Sequence, residues 1–138
     1  MSLRSPKAQA DKLFQSAKRF VCADRYHSAI VTLNQAIGHA PTAELYDYRG
    51  IVLTLTGQNE AALESFARAL ELATTKNARA EIYFHRGLLF ARDGSYEPAL
   101  LDLARACRLN RFDPTYREAC DHLKKEKKAR DRYEDQTD

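Results

Sequence analysis

The side chains that could do chemistry are thinly spread along this sequence. Its four histidines, His27, His39, His85 and His122, are far apart, and none has the spacing of a metal site or an acid–base pair. The three cysteines, Cys22, Cys107 and Cys120, form no C-x-x-C motif and have no nearby histidine cluster to complete a zinc site. They read as reduced, structural thiols of an intracellular protein. There is no phosphate-binding G-x-x-x-x-G-K-S/T loop, no H-E-x-x-H and no G-x-S-x-G. The carboxylates fall on solvated faces or in first helical turns, where they complement the helix dipole. The expectation is a protein that is not an enzyme and that uses neither cofactor nor metal.

One charged stretch remains. Lys124, Lys125, Lys127, Lys128, Arg130 and Arg132 could contact phosphates, yet Glu126, Asp131 and the acidic end E-D-Q-T-D interrupt and close the run. From Pro114 to Asp138 seven Lys/Arg cancel seven Asp/Glu, so the net charge of +3 comes from the rest of the chain. A solvated helix face stabilised by near-neighbour charge pairs accounts for the run without a ligand. RNA binding stays as an alternative reading.

These residues must be held by helices. At 138 residues, 44% apolar and 30% charged, the chain reads as one soluble globular domain. No stretch has the ~18 uninterrupted apolar residues of a membrane span, and the N-terminus lacks the apolar core of a secretory signal. Ser5-Pro6 is a helix start, followed by Ala10, Leu13, Phe14, Ala17, Phe20 and Val21 on one face. Asp24 interrupts and is placed to cap a second helix carrying Ala29, Ile30, Leu33, Ala36 and Ile37; Pro41 ends it. Two more helix pairs follow, split at Gly57 and Gly94, the third unit starting near Asn77. Pro98 falls in a first turn, where proline is tolerated. Asp113-Pro114 opens a seventh helix, expected to run to about Tyr133 with an acidic tail over 134–138.

Superposing the units exposes a repeat. Small residues recur at Ala17, Gly50 and Gly87, at Ala29, Ala62 and Ala99, and at Ala36, Ala69 and Ala106. Large ones recur at Leu13, Tyr46 and Tyr83, at Phe20, Leu53 and Phe90, and at Leu33, Phe66 and Leu103. This is a packing code: helices approach closely at Gly or Ala, and the large side chains fill the space beside each crossing.

The pattern aromatic-x-x-x-Gly-x-x-large, then Ala-x-x-x-large-x-x-Ala, resembles the tetratricopeptide repeat, a helix-turn-helix unit of about 34 residues. The unit from Ala43 matches almost throughout, with Tyr46 in the slot usually held by Trp; the first unit departs, with Ala17 and Asp24 where the family has Gly. The resemblance implies an all-α, right-handed superhelical solenoid with repeats at about 10–42, 43–76 and 77–113 and a solvating cap helix. It also implies an adaptor that holds a partner's peptide in a concave groove. The groove positions carried over are Asp11, Phe14, Lys18 and Val21 in the first unit, Glu44, Asp47, Ile51 and Thr54 in the second, and Glu81, Phe84, Leu88 and Ala91 in the third. Phe14, Ile51, Phe84 and Leu88 would be apolar anchors and Asp11, Glu44, Asp47 and Glu81 an acidic rim, suited to an apolar or basic segment of another protein. The alternative for the anchors is packing on one another or on the cap helix. Chaperone-binding members resemble one another in a cationic carboxylate clamp, whose positions fall here on Phe14, Lys18, Tyr48, Glu81 and His85. Glu81 would repel a carboxylate, which disfavours that variant. Self-association through apolar helix faces is a further alternative, and the expected location is the cytoplasm.

Overall fold

The computed structural model describes residues 5–137. Residues 1–4, where the segment read for a secretory signal begins, and Asp138, the last residue of the acidic end, lie outside the described residues. The described residues form seven helices and no strand: α1 (Pro6–Cys22), α2 (Tyr26–His39), α3 (Ala43–Leu55), α4 (Asn59–Leu72), α5 (Lys76–Arg92), α6 (Tyr96–Leu109) and α7 (Pro114–Thr137). No helix among them is long and apolar enough to cross a membrane. They fall into two compact units, α1–α4 and α5–α7, divided between Ala73 and Thr74.

The start and stop signals work as local chemistry. Ser5, Thr42 and Thr75 precede α1, α3 and α5, and each side-chain oxygen accepts the amide N–H three residues on, from Ala8, Leu45 and Ala78. Each cap satisfies a donor that the first helical turn would otherwise leave without a partner. The turns into α2, α4 and α6 share another device. Arg25, Gln58 and Ser95 donate their N–H groups to the carbonyls of Phe20, Leu53 and Phe90, five residues back, at 2.8–2.9 Å. This is the hydrogen bond of a Schellman turn, which requires a left-handed residue just before the donor. Gly57 and Gly94 supply it at φ +76° and +79°.

In the first unit that residue is Asp24, at φ +59°. The expectation that Asp24 caps α2 is therefore corrected: the cap position is Arg25, which makes no side-chain capping bond. Asp24 does the work of glycine, with its carboxylate accepting a hydrogen bond from the Tyr26 hydroxyl at 3.1 Å. Aspartate tolerates this region better than most residues because its short polar side chain bonds locally. The end of the chain is corrected too. α7 continues through Thr137, so Glu134 to Thr137 are helical, and Glu134 pairs with Arg130 one turn earlier at 3.7 Å. Asp113 does open α7, accepting the Thr115 N–H at 2.9 Å.

Within the first unit, Ala10, Phe14 and Ala17 of α1 pack with Ala29, Leu33 and Ala36 of α2 and with Leu45 and Val52 of α3. In the second unit Ala99 and Leu103 of α6 meet Cys120 and Leu123 of α7, while Ala80, Ala106 and Tyr116 form a neighbouring cluster. The small residues are close-approach points. A Cβ at Gly50 would lie 2.6 Å from the fully buried Phe66 ring, and one at Gly87 would lie 3.1 Å from Leu103.

Candidate peptide-binding faces

In the first unit the candidate residues lie on α1 and α3. Phe14 is only 7% exposed: its ring meets the Tyr48 ring edge-on at 5.2 Å between centroids, and Lys18 Nζ sits 4.1 Å above it. Phe14 is thus a core residue with a cation over its face, not a free anchor. Burial, with the neighbouring Cys22 adding to it, raises the Tyr48 hydroxyl above the usual tyrosine pKa. Val21 is half-buried against the same core. Asp47, read as part of the acidic rim, is buried, whereas Asp11 and Glu44 are exposed. Ile51 and Thr54 are half-buried, and the Thr54 hydroxyl donates to the Gly50 carbonyl at 2.8 Å.

In the second unit the candidates lie on α5. Phe84 is half-buried, its ring 5.1 Å from that of Tyr116 on α7, so here the packing alternative describes the side chain. Ala91 is half-buried in the α6–α7 core. Leu88 is 43% exposed, and Glu81 is exposed two helical turns earlier on the same face. Apolar surface therefore survives chiefly at Leu88 and in part at Ile51, with Asp11, Glu44 and Glu81 as the accessible acids. Of the clamp positions, Phe14 and Tyr48 pack on each other in the first unit, and Glu81 is exposed in the second.

Sequence reasoning missed a polar cluster behind this face. Asp102, 1% exposed on α6, takes Arg86 Nε at 2.7 Å and Nη2 at 2.9 Å, and takes Arg105 Nη1 at 2.9 Å. The bond to Asp102 holds Arg86 protonated more firmly than a free guanidinium, in spite of its burial. Arg86 and Arg105 also stand 5.5 Å from the Tyr83 ring. The clue was an aspartate on the apolar face of α6, three residues after Ala99.

Two cations of the basic run of α7 are engaged. Lys127 pairs with Glu97 at 3.4 Å and with Asp131 at 3.1 Å. Arg130 lies 4.3 Å from the Tyr96 ring and donates to the Gly94 carbonyl at 3.2 Å. Among the described residues no three His, Cys, Asp or Glu side chains are grouped to hold a metal ion.

No family profile matches the sequence, and no curated protein matches it. Solved structures do. The Sgt2 TPR domain from Aspergillus fumigatus superposes with a TM-score of 0.81 at 19% identity, over 93% of this chain and 85% of that one. The fold is that of a tetratricopeptide-repeat domain. The N-terminal domain of stress-induced protein-1 (STI-1) from C. elegans gives a TM-score of 0.77 at 15% identity, over 88% and 99% of the two chains. The Arabidopsis OM64 TPR domain gives 0.75 at 18%, over 88% and 98%. At such identities the shared property is the TPR fold itself.

Proposed function

We propose that this chain is a non-enzymatic, cytoplasmic adaptor in which the seven helices serve as one TPR domain and capture an extended or helical segment of another protein. The first helices of the repeats offer the contact surface, with Ile51 and Leu88 as apolar anchors and Asp11, Glu44 and Glu81 as the charges that orient an apolar or basic segment. Phe14 packs on Tyr48 and Phe84 on Tyr116, so neither is counted among the anchors. The observation that carries the reading is Leu88, 43% exposed on the first helix of its repeat, with acidic Glu81 exposed on the same helix. Apolar anchors supply affinity, and charges around them supply orientation and association rate.

The test is affinity recovery from cell extract with Leu88→Arg and with Ile51→Arg/Leu88→Arg, each checked for unchanged helical content and melting temperature. The reading expects partners held by the wild type to be lost from the double variant. Undiminished recovery with an intact fold would falsify it.

A further inference from the structure

α6 and α7 enclose an open groove of ≈ 430 Å³ whose floor is formed by Ala104, Cys107 and Cys120. Its rim carries four cations, Arg108 and Arg111 on the α6 side and Arg117 and Lys124 on the α7 side, against a single carboxylate, Asp121. All four are exposed, and none makes an ion pair among the described residues. Four other cations of this unit are paired: Arg86 and Arg105 share Asp102, Lys127 bridges Glu97 and Asp131, and Arg130 pairs with Glu134. The groove thus gathers four cations without ion pairs around a recessed apolar floor.

The Cys107 thiol registers the same surroundings. Burial, and then Cys120, push its pKa above the usual thiol value, while Arg117 and Lys124 pull against that and Asp121 adds to it. The rim charges therefore act at the groove floor as well as on the outer surface. The loop between the helices adds Phe112, which follows Arg111 and is 97% exposed. An aromatic side chain left in water beside a charged cleft is what a protein partner would cover.

The geometry points to this α6–α7 groove as a second binding site, for an acidic peptide segment that sets carboxylates against Arg108, Arg111, Arg117 and Lys124 and an aliphatic side chain on the Cys107–Cys120 floor. Charge complementarity selects the occupant, since like charges gathered around one carboxylate favour an anion and steer it in. A single-stranded nucleic acid fits less well. It wants a track of cations with successive stacking platforms, whereas Phe112 is one aromatic side chain and Lys127 and Arg130 of the adjoining run are already paired. The charge preference is opposite to that of the acidic α1, α3 and α5 faces, so this site would recognise a different segment and stands independently of them.

The experiment is a fluorescence-anisotropy titration of the full chain with a labelled peptide of alternating Glu and Leu, at low and at physiological salt. Arg108→Ala/Arg117→Ala/Lys124→Ala should weaken binding at least about tenfold. Lys125→Ala/Lys128→Ala/Arg132→Ala removes the same charge outside the groove and should change it less than about twofold. Saturating peptide should also slow alkylation of Cys107 in a Cys22→Ser background. The assignment fails if the wild type does not bind the peptide, if the two triple variants lose affinity equally, if Cys107 is not protected, or if a labelled oligouridylate binds more tightly than the peptide.

Discussion

The hairpins α3–α4 and α5–α6 follow one packing code at an offset of 37 residues, and they use it differently. Gly50 faces Phe66 in the first, and Gly87 faces Leu103 in the second. Behind those contacts stand Arg49 and Ser65 in one hairpin and, at the same registers, Arg86 and Asp102 in the other. Arg86 and Asp102 are joined by two hydrogen bonds, whereas Arg49 Nε and Ser65 Oγ are buried without hydrogen-bond partners. An arginine also lies over the register-equivalent tyrosine in each hairpin, Arg68 at 5.6 Å from Tyr46 and Arg105 at 5.5 Å from Tyr83. Arg68, however, turns its charge to Glu71 at 2.6 Å, and the register of Glu71 is held in α6 by Arg108. One exchange of sign leaves α4 neutralised and α6 open to an anion. The repeat fixes where backbones approach; the residues between the close-approach points decide whether a hairpin is held by an ionic cluster or by apolar packing.

Making the hairpins alike should have unequal effects. The largest is expected from Asp102→Ser, which gives α6 the residue that α4 has and strands the largely buried Arg86. Breaking such a pair from one side costs about 3 kcal/mol, visible as an earlier urea midpoint, and Arg86→Leu added to it should restore part of the loss. If the single variant unfolds at the wild-type midpoint, the cluster is not what holds this hairpin.

The glycines come next. Gly50→Ala drives a Cβ to 2.6 Å from a fully buried ring that cannot retreat, and should destabilise by about 2 kcal/mol. Gly87→Ala meets the Leu103 side chain at 3.1 Å and the Ala99 carbonyl at 3.3 Å, a milder crowding than at Gly50, and gains about 1 kcal/mol of helix propensity, so it should lose clearly less stability than Gly50→Ala. Equal losses in the two variants would mean that the helix crossings are equally tight. The smallest effect is a gain: Ser65→Ala removes a buried hydroxyl that has no partner and should stabilise by about 1 kcal/mol in thermal or urea melts.

Much of the fold was legible in the sequence because its determinants are local. Ser5, Thr42 and Thr75 cap helices through amides three residues away, and Gly57 and Gly94 adopt a backbone conformation set by their own lack of a Cβ. The small and large registers were legible for a related reason, since the helical period alone aligns them on one face. Asp24 misled because two local roles compete for aspartate. As a helix cap it would bond forward, but the Schellman turn around it needed a left-handed residue at that position, and the turn geometry prevailed.

The candidate site was legible only in part. Phe14 and Phe84 occupy outward registers, and only the tertiary structure shows Tyr48 covering one and Tyr116 the other. Asp47 likewise sits at a rim register but is buried. Ion pairing is non-local by nature: Arg86 and Asp102 are 16 residues apart, and nothing in either neighbourhood announces the other. Within the basic run of α7, Lys127 and Arg130 are paired with Glu97, Asp131 and Glu134, whereas Lys124 joins Arg108, Arg111 and Arg117 along the α6–α7 groove with no ion pair among the described residues. The sequence by itself determined the helices, their caps and the points where backbones meet, because each depends on residues within a turn or two. Which apolar side chains stay exposed and which charges lack a partner depended on contacts between helices, and only the tertiary structure decided them.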